Sequence, residues 1–356
     1  MGNSSTGSAT PSSSGWLIAG LVDYVAHFRA RFHSMTFPST PPQYRTVNGV
    51  AIRYQLLGKA ALHPPSPSKL TPIVFTPGGQ GGLDACELQS WLFEDLPDTV
   101  GMVWDRRNTG ASDFSIDGAL EGEGSDDGVV PEPQLQADDL CGLLDALGYG
   151  KVILVGNSSG ARMSLLFALK YPSRVKACIL MNMTGGHLAA DVLSNEYYIQ
   201  YATRLRRGGI PALLNTPFFR ALCSARPENR ARIEQMDAAE LTRVFDGWAG
   251  WISGSGDCPV IGVGKEQIAS LSGVAGGEGI SYMVVHFMGH GDSDGMHKTS
   301  VSEALAGLLP EERTQLVVSE MPTVWIRAVR AFIQTTVGTA GDTHAAHQAA
   351  IQEAKY

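Results

Sequence analysis

The segment Gly156-Asn157-Ser158-Ser159-Gly160 has the residue types and spacing that point most directly to chemistry. It follows an apolar run at 152–155 and precedes a helix-forming stretch at 161–170. A serine on so sharp a strand-to-helix turn projects its hydroxyl above a sheet, while flanking glycines let neighbouring backbone come close. Ser158 is therefore the candidate nucleophile, and the Ser159 amide is a candidate donor to an oxyanion. A second set of backbone donors is offered by Gly78-Gly79-Gln80-Gly81-Gly82, directly after the apolar run 73–76, with Gly79 and Gln80 the candidates. That loop lacks the Gly-Lys-Ser/Thr ending of a phosphate cradle.

A serine hydroxyl needs a general base to be nucleophilic at neutral pH. The chain has nine histidines. His27, His33 and His63 precede the main sheet pattern, His344 and His347 lie in an Ala-rich tail, and His286 alternates within a strand as core histidines do. That leaves His297 as first choice, with His290 and His187 behind it. The orienting acid is Asp292 or Asp294, since Gly289 with Asp292 and Gly291 with Asp294 are overlapping G-x-x-D frames; Glu266 is a distant third. His286, His290, Asp292, Asp294 and His297 crowd into twelve residues but match no standard zinc spacing. Neither a metal nor a cofactor is expected.

Positioning these groups requires a sheet. The stretches 44–47 and 50–57 are β runs separated by Asn48-Gly49, a strong hairpin signal. Apolar strand patterns at 73–76, 100–104, 152–155 and 177–181 then alternate with helical patterns at 134–147 and 161–170. Strands apolar on both faces, taking turns with helices, predict an α/β fold with a mostly parallel sheet covered on both sides. The alternation stops at 187–258, which is helical in character and broken by Gly208-Gly209 and Pro211. It resumes with a strand at 282–288, a helix at 302–309, a strand at 314–318 and a helix at 324–334. The expected organisation is an extension at 1–43, disordered and then amphipathic, a core at 44–186 and 259–336, a helical cap at 187–258 and a tail at 337–356. The acidic, Gly-rich stretch 115–133 reads as a solvated loop.

Four blocks in this order resemble the α/β-hydrolase family from about residue 44 to 334. The glycine loop at 78–82 is similar to the glycine-proline-glycine loop of proline-iminopeptidase-like members. Asp105-Arg106-Arg107-Asn108-Thr109-Gly110-Ala111-Ser112-Asp113 resembles the family's D-x-R-G-x-G-x-S turn, and the Ser158 elbow is the third block. The fourth is Gly291-Asp292-Ser293-Asp294-Gly295-Met296-His297, where the family places its acid. The resemblance implies an eight-stranded sheet with a helical cap and a serine triad. The chain departs from it in one place: the last strand runs into Ser319-Glu320-Met321-Pro322-Thr323-Val324-Trp325, without the family's late histidine.

Composition narrows the partners. In 356 residues, 44% are hydrophobic and 17% charged, enough for a large core. The net charge of −8 with no basic block argues against nucleic acid or an anionic membrane as partner. Five widely spaced cysteines without a CxxC fit neither a disulfide framework nor a zinc site, in keeping with a reduced, cytoplasmic setting. No run is long enough to span a bilayer, although Met1-Gly2-Asn3-Ser4-Ser5-Thr6 matches the N-myristoylation pattern. The expected activity is hydrolysis of an ester, amide or lactone of a small, largely apolar substrate through an acyl-enzyme on Ser158. The alternatives are a lyase, isomerase or cofactor-free oxygenase on the same fold, or a catalytically dead small-ligand binder.

Overall fold

The computed structural model describes residues 38–62, 66–85, 96, 98–121, 128–273, 279–287 and 295–338. The myristoylation pattern, the N-terminal helical stretch, His290, Asp292, Asp294 and the last eighteen residues lie outside these. The described residues, all from 38 onward, form one compact unit.

Eight strands build one sheet: β1 (Gln43–Val47), β2 (Val50–Leu57), β3 (Thr71–Thr76), β4 (Thr99–Trp104), β5 (Val152–Asn157), β6 (Val175–Met181), β7 (Ser281–Phe287) and β8 (Thr314–Ser319). Their order is β1-β2-β4-β3-β5-β6-β7-β8. β1 and β2 form the Asn48-Gly49 hairpin, with both turn residues at positive φ (50° and 77°), as a tight primed turn requires. β2 also pairs antiparallel with β4, and every pairing from β4 to β8 is parallel. All six residues of β3 are buried, so both sheet faces are covered, which explains the unbroken apolar runs.

Helices cover the faces. α1 (Glu132–Ala146) and α2 (Ser159–Lys170) pack on each other and share a core cluster with alternate residues of β3 to β7, including Val74, Met102, Leu154, Leu180 and Val284. Between β6 and β7 the chain runs through α3 (His187–Ser194), a π-helical turn (Asn195–Ile199), α4 (Gln200–Leu214), α5 (Pro217–Ala225), α6 (Glu228–Glu234), α7 (Ala238–Ser253) and the short α8 (Lys265–Ser270). α4 is broken at Gly208 and Gly209. α9 (Thr299–Leu308) precedes β8, and α10 (Pro322–Val337) follows it after only two residues.

The stretch 115–133 is not simply a solvated loop. Ser115, Ala119 and Val129 are buried, and Glu132 opens α1 with its carboxylate turned inward. Ala119 and Val129 join the second apolar cluster, built by the α3–α7 helices, and with Phe114 and Leu135 supply one wall of it. Polar ties knit the same seam. Asn229 accepts from the Phe114 amide (2.7 Å) and donates to Ser112 O (3.0 Å), while Asp113 pairs with Arg226 (2.6 Å) and Arg232 (2.9 Å).

The elbow shows why glycine is obligatory at its two ends. A Cβ on Gly160 would overlap Thr76 O and lie 2.6 Å from Pro77 O, and one on Gly156 would collide with the Gly160 carbonyl. The obstacles are backbone atoms of β3 and α2, which have nowhere to move. Gly160→Ala is expected to destabilise the fold by more than about 4 kcal/mol, in the range reserved for steric failures of this kind; a urea melt losing less than about 1 kcal/mol would contradict it.

Candidate active site

Ser158 sits between β5 and α2 with φ 52° and ψ −115°, a conformation that costs a residue with a side chain about 1–3 kcal/mol. Its amide donates to Met181 O (2.9 Å), and its carbonyl accepts from Arg162 N (3.1 Å), so strand β6 and the first turn of α2 impose the strained geometry. Asn182, also at positive φ, extends the scaffold: it donates to Asn157 Oδ1 (3.0 Å) and accepts from Phe287 N (2.9 Å). The carboxyl ends of β5, β6 and β7 are thus tied together beneath the site.

His297 reaches this point from the segment between β7 and α9. Its Nε2 lies 2.9 Å from Ser158 Oγ, across 139 residues of sequence. The ring is half-buried and follows Gly295, which takes a positive φ of 69°. The other histidine in the described residues that was a candidate, His187, lies at the surface and pairs with Asp257 (2.9 Å), with side chains 72% and 96% exposed. His286 is fully buried in β7 beside Ser302 Oγ (3.3 Å).

The glycine loop is held from two sides. Gly79 O accepts from Arg106 Nη2 (2.7 Å) and from Ser159 Oγ (3.0 Å), and Arg106 Nη1 also reaches Ser159 Oγ (3.3 Å). Because a trans peptide directs C=O and N–H oppositely, fixing that carbonyl turns the Gln80 amide to the opposite side. Asp105 braces the loop's exit, accepting from the Leu83 amide, the Ala111 amide (2.7 Å) and Arg53 (3.3 Å). Next to it, Arg107 grips Asp139 with two bonds of 2.6 and 2.7 Å. The Asp105–Asp113 block therefore carries structure rather than reacting groups: Arg106 holds Gly79 O, while Asp105 and Gly110 pack against Gly82.

A cavity of about 30 Å³ opens beside the glycine loop, room for roughly one or two waters. Gly79, Gln80, Ser159, Arg106, Arg162 and Glu132 form its polar side, and Tyr197, Tyr198, Phe218, Phe219 and Trp248 close it from the inserted helices. Tyr197 and Tyr198 come from the π-helical turn, a local widening often found at functional sites. Trp251, another aromatic of the same helices, does not line it and instead lies 5.9 Å below the Arg162 guanidinium.

Three groups of this cavity escaped the sequence reading. Glu132 was hidden in an acidic stretch. Its carboxylate accepts from Asn108 (2.7 Å) and Tyr198 (2.6 Å), and burial pushes its pKa up against those bonds and the nearby Arg106 and Arg107 charges. Arg162 is 2% exposed, and its Nε and Nη1 have no hydrogen-bond partner. Burial lowers its pKa, yet a guanidinium starts so high that it keeps its charge. Arg106 belongs to the Asp105–Asp113 segment, and nothing in its position marks its grip on Gly79.

The raised Glu132 pKa makes a signed prediction. The folded chain holds that proton more tightly than the unfolded chain, so the stability it contributes is full below the unfolded value of about 4.3 and is lost as pH rises through the folded one. Glu132→Gln removes this loss. The Tm of the variant minus that of the wild type should therefore grow between about pH 4 and pH 8; a difference that stays flat or shrinks would show that the carboxylate is not penalised by burial.

Comparison with known proteins bears on the fold. Over 69 residues, 18% of the chain, it is 45% identical to a 2-hydroxy-6-oxononadienedioate/2-hydroxy-6-oxononatrienedioate hydrolase of Burkholderia vietnamiensis, covering 24% of that protein. It is 50% identical over 46 residues, 13% of the chain, to a 2-hydroxy-6-oxo-2,4-heptadienoate hydrolase of Pseudomonas putida, covering 17% of it. The chain thus matches only about a quarter of these relatives' length or less. Among solved structures, MGS-M2, an alpha/beta hydrolase enzyme from a Medee basin deep-sea metagenome library, superposes with a TM-score of 0.51 at 16% identity, over 85% of this chain and all of the other. An enol-lactonase from Burkholderia xenovorans gives 0.50 at 15%, over 82% and 99%. Residues 71–320 match the family signature described as alpha/beta hydrolase fold. The eight-stranded sheet, its strand order and that match together place the chain in the α/β-hydrolase fold family.

Proposed function

We propose that the protein is a serine hydrolase that cleaves an ester, amide or lactone of a small molecule through an acyl-enzyme on Ser158. The observation that carries the reading is the 2.9 Å approach of His297 Nε2 to the hydroxyl of a serine held at positive φ on a strand-to-helix turn. That separation lies within the reach a general base needs.

Ser158 Oγ attacks the carbonyl carbon while His297 Nε2 takes the hydroxyl proton. Charge develops on the carbonyl oxygen, and the amides of Ser159 and of Gly79–Gln80 stabilise it. The anchoring of Gly79 O supports this role, since it leaves the Gln80 amide free to face away from Arg106. Collapse of the tetrahedral adduct expels the alcohol or amine, which receives the proton from His297. Water, deprotonated by the same ring, then attacks the acyl-enzyme, and Ser158 leaves with its proton restored. Asp292 or Asp294 orients the imidazole in this scheme; both precede His297 on the same connection. No cofactor enters any step.

The test is pre-steady-state. With an activated aryl ester, phenolate should be released in a burst of about one equivalent per active chain, followed by slower turnover. Turnover with no burst under conditions that make deacylation limiting would remove the acyl-enzyme and favour a lyase or isomerase using the same pocket.

A further inference from the structure

Arg162 is a buried charge that the scheme above does not use. Its guanidinium is buried in the cavity wall, two of its nitrogens lack hydrogen-bond partners, and no ion pair reaches it among the described residues. The other charged groups of the cavity are already engaged. Arg106 binds Gly79 O and Ser159 Oγ, and both Glu132 oxygens accept from neutral donors. Trp251 offers its ring face at 5.9 Å, which supports a cation without neutralising it. An unpaired buried charge carries a large desolvation cost, so a ligand anion is the natural missing partner.

Position favours a part of the substrate. Arg162 lies one helical turn after Ser158, and helical side chains lean back toward the N-terminus. Its guanidinium therefore shares the cavity with Gly79, Gln80 and Ser159. The planar fork suits a carboxylate, which it can bind through two parallel bonds, and the narrow space and the adjacent Glu132 disfavour the bulkier, doubly charged phosphate. We infer that Arg162 binds a carboxylate carried by the substrate, so that the molecule cleaved is an acyl compound bearing a second, unreacting carboxylate. This rests on the serine-hydrolase reading and replaces the expectation of a largely apolar substrate.

Binding can be measured without chemistry, on the Ser158→Ala protein. Calorimetry with monomethyl glutarate, an ester that keeps one carboxylate, is compared with neutral dimethyl glutarate and with inorganic phosphate. The monoester should bind at least about 10-fold more tightly than the diester, the value of one charge-assisted pair, and phosphate should not displace it. Adding Arg162→Met should abolish the preference, and Arg162→Lys should leave part of it. Arg162→Met should also melt higher than its parent, because an unpaired buried charge is gone. Equal binding of monoester and diester overturns the proposal, as does a preference that survives Arg162→Met, or displacement by phosphate. Since the assay lacks the Ser158 hydroxyl, failure of the acyl-enzyme reading would leave this result standing, and the reverse.

Discussion

Ser158→Ala is expected to lower kcat by about 10⁶-fold, the loss typical of a triad-type nucleophile, with the fold unchanged. The second half follows from the site's construction. The strained backbone at 158 is imposed by the Ser158 N to Met181 O bond and by the close packing of Gly156 and Gly160, and none of these uses the hydroxyl. Alanine keeps the Cβ and loses only the oxygen beside His297. Circular dichroism and Tm should therefore match the wild type while turnover vanishes. A variant that retains a tenth or more of wild-type kcat would rule out covalent catalysis by this serine and return attention to the non-hydrolytic alternatives.

His297→Ala should cost nearly as much, about 10⁴ to 10⁶ in kcat, because nucleophile and base act as one unit and their losses do not add. The double variant with Ser158→Ala should accordingly be no slower than the worse single one. His187→Ala supplies the contrast. That ring is largely exposed and held by Asp257, so its removal should leave kcat within about twofold, the usual range for a surface change. If His187→Ala is dead and His297→Ala is active, the base comes from the start of the inserted helices and the short Ser158 contact is incidental.

Much of the fold could be read in the chain because its signals are local. The Asn48-Gly49 turn, the all-apolar strands and the glycines of the elbow each report a constraint set within a few residues. Even the late departure from the family was visible: β8 passes into α10 after two residues, and none of 319–325 is a histidine. What stayed hidden depends on distance in sequence. Glu132 meets Tyr198 across 66 residues, so an acidic run looked like a solvated loop. Arg162 occupies a helix position that is normally free to face water, and only the all-round burial of α2 from Ser159 to Ala168 makes it a cavity residue. The histidines posed the same problem. Proximity to an aspartate in sequence favoured His297, but composition alone carried no measure of which ring the fold delivers to Ser158.

Reaction with a fluorophosphonate shows whether His297 activates Ser158 as a nucleophile, because the probe reports an activated serine whatever the natural substrate is. Wild-type protein should gain one adduct by intact mass, mapped to the peptide containing Ser158, and the labelling rate should fall by about 10³-fold or more in His297→Ala. An unmodified wild-type chain, an adduct on another residue, or equal labelling of the two proteins would contradict it.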